Sequence, residues 1–158
     1  MFEIVRQDEL EKWNIKYEDV IIPTRKTQFS AGYDFHIPKN LDIEIPNEKG
    51  ILIPTGIKCR FPFSKDKLYL QLSLKSGISS KNPIIMRNAP GIIDFDYVDN
   101  PDNDGHILIS VYNVDGSRVN YTTLKGGTGI AQGIFVSYHT FGENVEEKRV
   151  GGFGSTSK

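Results

Sequence analysis

The ten residues Asn88-Ala-Pro-Gly-Ile-Ile-Asp-Phe-Asp-Tyr97 bring a side-chain amide, a turn signal, an apolar pair and two carboxylates together. Pro90-Gly91 marks a chain reversal, because proline presets φ and glycine accepts the positive φ that many turns need. Ile92 and Ile93 anchor the returning strand and leave Asp94, Asp96 and Tyr97 at its end. On a continuing strand Asp94 and Asp96 would share one face, two residues apart. A carboxylate held there can take a proton from water, which is general-base chemistry. The bland alternative is a hairpin with solvated aspartates.

The other stretch with chemical promise closes the sequence: Gly151-Gly-Phe-Gly-Ser-Thr-Ser-Lys158. It carries one large apolar side chain, Phe153, too little to pack by itself, so composition predicts a mobile end unless something binds it. A P-loop is excluded, because Gly-Lys-Ser/Thr is absent and no strand-to-helix context exists there.

The elements that must position these residues read as β almost throughout. Leu41–Ile45, Leu68–Leu74 and Ile107–Val111 alternate apolar residues with a period of two. Glycine and proline punctuate the chain at short intervals, and Asp115-Gly116 predicts a two-residue hairpin between Ile107–Val114 and Arg118–Leu124. Asp8 to Trp13 reads as one or two helical turns with Asp8 as cap, in a run that Pro23 soon ends. Short strands with turn punctuation predict an all-β sandwich, jelly roll or barrel. The division expected is a single β domain over 1–148 and a glycine-rich arm over 149–158.

With 158 residues and a formal net charge of −1, the chain is sized for one domain and has no field to attract nucleic acid or an anionic membrane. An anionic ligand would be held by a few local cations. The single cysteine, Cys59, excludes an internal disulfide and sits in an alternating apolar stretch, where it reads as a small buried hydrophobe. No apolar run reaches the ~18 residues of a membrane span, and the N-terminus lacks the pattern of a signal peptide. A cytoplasmic location is expected.

Five short stretches, in order, resemble the five motifs of the trimeric dUTPases (deoxyuridine triphosphatases). They are Ala31-Gly-Tyr-Asp34, Lys75-Ser-Gly77, the opening stretch, Gly127-Thr-Gly-Ile-Ala-Gln-Gly-Ile-Phe135 and Arg149-Val-Gly-Gly-Phe-Gly-Ser-Thr156. Asp99-Asn-Pro-Asp-Asn-Asp-Gly-His106 looks like the variant found in Gram-positive bacteria and their phages.

The resemblance implies a jelly-roll-like β fold, a homotrimer with shared active sites, and hydrolysis of dUTP to dUMP and pyrophosphate by water attacking the α-phosphorus. Asp94 matches the general base, and Asp96 a structural position. Tyr97 matches the residue that lies against the deoxyribose and excludes a 2′-hydroxyl. Asn88 and the backbone around Gly91 match the uracil pocket, where cytosine would leave a buried group unpaired at ~1–3 kcal/mol. Lys75, Ser76, Gly77 and Gln132 match phosphate contacts, and a hydroxyl with bare amides makes a small anion nest. In the arm, Phe153 would stack on uracil while Arg149, Gly154, Ser155 and Thr156 close on the phosphates. Asp34 matches the aspartate behind the water shell of a Mg²⁺ ion held chiefly by the triphosphate.

Three positions depart from the pattern. Lys75 stands where arginine is usual, and lysine lacks the planar fork that bridges two phosphate oxygens. Gly129 replaces a second arginine, and Ser157 replaces the final glycine of the fifth motif. The alternatives are a dUTPase-fold nucleotide-binding or regulatory protein with weakened turnover, favoured by Lys75 and Gly129, and the related dCTP deaminase, which the glycine-rich tail speaks against.

Overall fold

The computed structural model describes residues 1–62, 67–116 and 121–142. Along the chain run β1 (Phe2–Ile4), the helix α1 (Gln7–Lys12), β2 (Tyr33–His36), β3 (Ile43–Pro46), β4 (Gly50–Pro54), β5 (Ile57–Cys59) and β6 (Leu68–Leu74). A short helix α2 (Ser76–Ser79) follows, then β7 (Ile84–Met86), β8 (Gly91–Ile93), β9 (Leu108–Asn113), β10 (Tyr121–Leu124) and β11 (Gly129–Ser137). The all-β expectation holds.

Two sheets enclose the main core. One has the order β2-β11-β6-β8 and the other β4-β9-β7, while β1-β5 and β10-β3 form pairs beside them. The first contributes Phe35, Ile130, Ala131, Leu70, Leu72 and Ile93, and the second Ile53, Ile84, Met86, Ile109 and Val111. In β6 the alternation works as the sequence predicts, with Leu70 and Leu72 turned inward and fully covered. A smaller cluster of Val5, Leu10 and Ile15 seats α1.

Three local expectations are corrected. Asp8 does not cap α1. Arg6 holds the cap position without a side-chain cap bond, and Asp8 lies in the first turn, paired with Arg6 at 3.1 Å.

The Asp115-Gly116 signal does not produce a β9–β10 hairpin, because β10 pairs with β3 and β9 lies between β4 and β7. Asn113 supplies the reason. Fully buried at the end of β9, its amide donates to Ile45 O (2.9 Å), Asn47 Oδ1 (3.0 Å) and Thr122 Oγ1 (3.2 Å), fastening β3 and β10 there.

The reversal at Pro90-Gly91 is real but is no ordinary hairpin. β7 pairs with β9 and β8 with β6, so residues 87–90 carry the chain from one sheet to the other. The Ala89–Pro90 peptide is cis, and Gly91 is not among the positive-φ glycines.

Candidate active site

The sheet β2-β11-β6-β8 carries two groups of polar residues at opposite ends. At one end β2 and β11 set Asp34 directly across from Gln132 and His36 across from Gly129, with a bulge between Gly129 and Ala131. Lys75 follows β6 immediately, tied by its amide to Ile130 O at 3.0 Å. Its ammonium reaches back to Asp34 Oδ2 at 2.5 Å, an ion pair. Lys26 approaches the same oxygen at 3.7 Å. Asp34, Lys75 and Gln132, far apart in sequence, therefore share one neighbourhood. Ser76 and Gly77 stand exposed in the first turn of α2, where backbone N–H groups lack intrahelical partners.

Two of the three departures from the family pattern, Lys75 and Gly129, meet here. A Cβ at Gly129 would lie 3.3 Å from Lys75 Cδ and 3.4 Å from His36 Nε2. Glycine at 129 thus leaves the space that the Lys75 stem and the His36 ring occupy. His36 escaped the sequence reading, although its place two residues after Asp34 on one strand put it on the same face. Burial pushes its pKa down; Asp34 opposes this, and Lys75 and Lys26 add to it. Its Nδ1 is buried with no hydrogen-bond partner among the described residues.

At the other end, β8 pairs with β6 through Gly91–Leu72 and Ile93–Leu70. Asn88 is exposed on the inter-sheet turn, its amide over Gly91, where a Cβ would meet Met86 Cε at 2.8 Å and Asn88 Nδ2 at 3.7 Å. Asp94 leaves β8 half-buried, and the chain then turns into a 3-10 turn over Phe95–Tyr97. The expected common face of Asp94 and Asp96 is therefore lost, because the strand stops at Ile93 and period-two geometry ends with it. Asp96 is exposed.

Tyr97 is 4% exposed. Its hydroxyl donates to His106 O (3.1 Å) and accepts from Asn103 Nδ2 (2.8 Å). What Tyr97 can offer a ligand is therefore shape, since its oxygen is already engaged within the chain. Asn103 and His106 also escaped the sequence reading; their sequence signal was only the unusual Asp-Asn-Pro-Asp-Asn-Asp-Gly-His run.

Arg149, Phe153, Gly154, Ser155 and Thr156 lie outside the described residues, as does Ser157. No group of three His, Cys, Asp or Glu that could hold a metal ion occurs among the described residues.

The dUTPase family model matches residues 18–157. A deoxyuridine 5′-triphosphate nucleotidohydrolase from Lactococcus lactis is 35% identical over 146 residues, spanning 89% of this chain and 92% of that one. This chain belongs to the dUTPase family. Its activity is the hydrolysis of dUTP to dUMP. The dUTPase fold is also that of the Streptococcus mutans dUTPase crystal structure, with a TM-score of 0.74 at 27% identity over 90% of this chain and 98% of that one. The dUTPase from phage phi11 of S. aureus shares the fold at 18% identity, with a TM-score of 0.65 over 93% and 96% of the two chains. The dCTP deaminase alternative therefore falls away.

Proposed function

We propose that Asp94 activates the water that attacks the α-phosphorus of dUTP, that pyrophosphate leaves, and that each active site is shared between copies in a homotrimer. The observation that carries the sharing is the separation of the two polar ends within one chain. Asp94 lies one step beyond the Ile93–Leu70 pair, and Lys75 lies five residues beyond Leu70 in the other direction. Six residues of strand at ~3.3 Å each put them roughly 20 Å apart. A base must come within hydrogen-bond reach of the water it serves, beside the phosphate under attack. One chain's Asp94 therefore works with the Asp34–Lys75–Gln132 end of another copy.

In this reading Asn88 and the backbone at Gly91 face uracil, Tyr97 walls off the 2′ position, and Lys75, Ser76, Gly77 and Gln132 hold phosphate oxygens. Arg149, Phe153, Gly154, Ser155 and Thr156 complete the site from the arm. Mg²⁺ belongs to the same proposal. A structural Mg(II) ion is coordinated in the phage phi11 dUTPase. In this chain Asp34 already faces Lys75, so the residues fit an ion held mainly by the nucleotide and its waters, with Asp34 outside that shell. Such an ion neutralises charge on the triphosphate when bound. A cytoplasmic location is proposed with it, supported by the buried, unpaired Cys59. No helix among the described residues is long and apolar enough to cross a membrane.

Complementation tests the shared site. Asp94→Asn and Lys75→Ala chains, each impaired alone, should regain dUTP hydrolysis at sub-KM substrate when co-expressed, because mixed assemblies contain sites with both residues intact. Mixed assemblies that stay inactive would place the whole site in one chain. Light scattering giving the mass of a single chain for the active protein would end the trimer proposal.

A further inference from the structure

We infer that Asn103 and the Glu9–His106 pair are positioning residues for sugar discrimination, acting through the hydroxyl of Tyr97. The inference rests on reading Tyr97 as the residue beside the deoxyribose.

The connections run from the N-terminal helix to the edge of the site. Glu9 on α1 is 2% exposed and His106 fully buried, and Oε1 of the one meets Nδ1 of the other at 2.9 Å. The tautomer follows from the opposite side of the ring. Gly56 N–H can only donate, and it points at His106 Nε2 at 2.8 Å, so Nε2 is bare and Nδ1 carries the proton to Glu9. Trp13 Nε1 and Lys12 Nζ donate to the same carboxylate at 3.0 and 2.9 Å, fixing it in turn.

His106 presents its carbonyl to the Tyr97 hydroxyl, and Asn103 presents its amide. The orientation of Asn103 is settled by its oxygen, which accepts from Gly105 N–H at 3.1 Å and from Asn100 Nδ2 at 2.8 Å. Its NH₂ must then face Tyr97. The Tyr97 amide also bonds back to Asp94 O at 3.2 Å.

Filling a core needs only the ring, and a phenylalanine would serve. A hydroxyl with one fixed acceptor and one fixed donor does something else: it sets the tilt of the ring. A wall that rejects one extra hydroxyl on the sugar depends on that tilt, since a shift of a fraction of an ångström opens the gap. The 3-10 turn over Phe95–Tyr97 starts from Asp94, which makes the same contacts relevant to where the proposed base sits.

The test compares kcat/KM for dUTP and UTP, with calorimetry alongside, in Asn103→Ala, Tyr97→Phe, their double variant, Glu9→Ala and Glu9→Gln, and with Tyr97→Ala as reference. The dUTP-over-UTP ratio should fall about tenfold in Asn103→Ala and in Tyr97→Phe, the scale of a small contact in a shaped pocket. It should fall no further in the double variant, as expected for two residues acting through one bond. Glu9→Gln should recover most of the ratio lost in Glu9→Ala, because its amide oxygen still accepts from Nδ1. Asn103→Ala and Tyr97→Phe decide the matter, since both leave the buried Glu9–His106 pair in place. An unchanged ratio in Asn103→Ala, or equal loss for both nucleotides with a lower Tm, would overturn the inference while a changed ratio in Tyr97→Ala kept the reading of Tyr97 standing. A ratio unchanged in Tyr97→Ala itself would bring down that reading and the inference together.

Discussion

Lys75 Nζ lies 2.5 Å from Oδ2 of Asp34, joining the end of β6 to β2 across β11. Asp34 is 7% exposed, so its charge is held at the sheet by the two lysines around it. If Lys75 holds phosphate as proposed, a charged substrate must compete with, or add to, the partner it already has. Removing the lysine as Lys75→Met should destabilise the fold by about 1–3 kcal/mol, the cost of a buried charge losing its partner. The lower end is expected, because Lys75 is a quarter exposed and Lys26 remains 3.7 Å away. KM for dUTP should rise in the same variant. Thermal unfolding and steady-state kinetics on one preparation check both effects, and an unchanged KM would remove Lys75 from the phosphate site.

Asp94→Asn keeps the shape of the side chain at the end of β8 and removes its basicity. Turnover should fall ~10²–10⁴-fold, the range general-base catalysis supplies, with dUTP binding largely retained. Calorimetric titration with a non-hydrolysable dUTP analogue, beside a pyrophosphate assay, separates the two. Near-normal turnover would take the base role away from Asp94.

Acid should weaken the fold through His106. Burial pushes its pKa below the usual 6.5, with Glu9 opposing only in part. For Glu9, burial alone would raise the pKa, but bonds from His106, Lys12 and Trp13 bring it below 4.5 on balance. In the unfolded chain His106 takes up a proton near pH 6.5, and in the folded chain only at lower pH. Between those points the unfolded state binds more protons, so stability falls as pH falls, with a limiting slope of about 1.4 kcal/mol per pH unit for one proton. The stabilisation is complete above pH 6.5. Tm should be flat from pH 8 to 7 and decline below about 6.5. His36 shifts the same way, so the slope should shrink but not vanish in His106→Gln. A slope equal to that of the unsubstituted protein would acquit His106.

The arm should matter for turnover more than for folding. Residues Gly151 to Lys158 hold one large apolar side chain, while each ordered residue costs ~1–2 kcal/mol of backbone entropy. Only a ligand offering a ring and anionic oxygens can offset that. Ending the chain at Lys148 should leave Tm and oligomeric mass nearly unchanged and cut turnover steeply, with a milder loss in Phe153→Ala. Calorimetry and a pyrophosphate assay on the truncated chain decide it; retained turnover would make the arm dispensable.

Much of this protein was legible in its residues. The alternation in Leu68–Leu74 put Leu70 and Leu72 in the core, because strand side chains alternate faces whatever the neighbours are. The burial of Cys59 followed from its apolar surroundings, and its thiol is pushed up to about 12 by that burial. The ordered motifs pointed to the family before any contact was known, since residue type and order are properties of the chain itself. Other features depended on which strands meet. Pro90-Gly91 announced a reversal but not that β7 and β8 would enter different sheets, and Asp115-Gly116 announced a hairpin that Asn113 overrides by binding β3 and β10. Turn chemistry fixes local direction, whereas strand partners are chosen by burial and buried polar satisfaction over the whole molecule. The same holds for Lys75 with Asp34 and for His106 with Glu9, pairs far apart in sequence. The sequence alone named the residues that could carry charge; only the register of β2, β11 and β6, and the seating of α1 against the loop before β9, decided which charges would face each other.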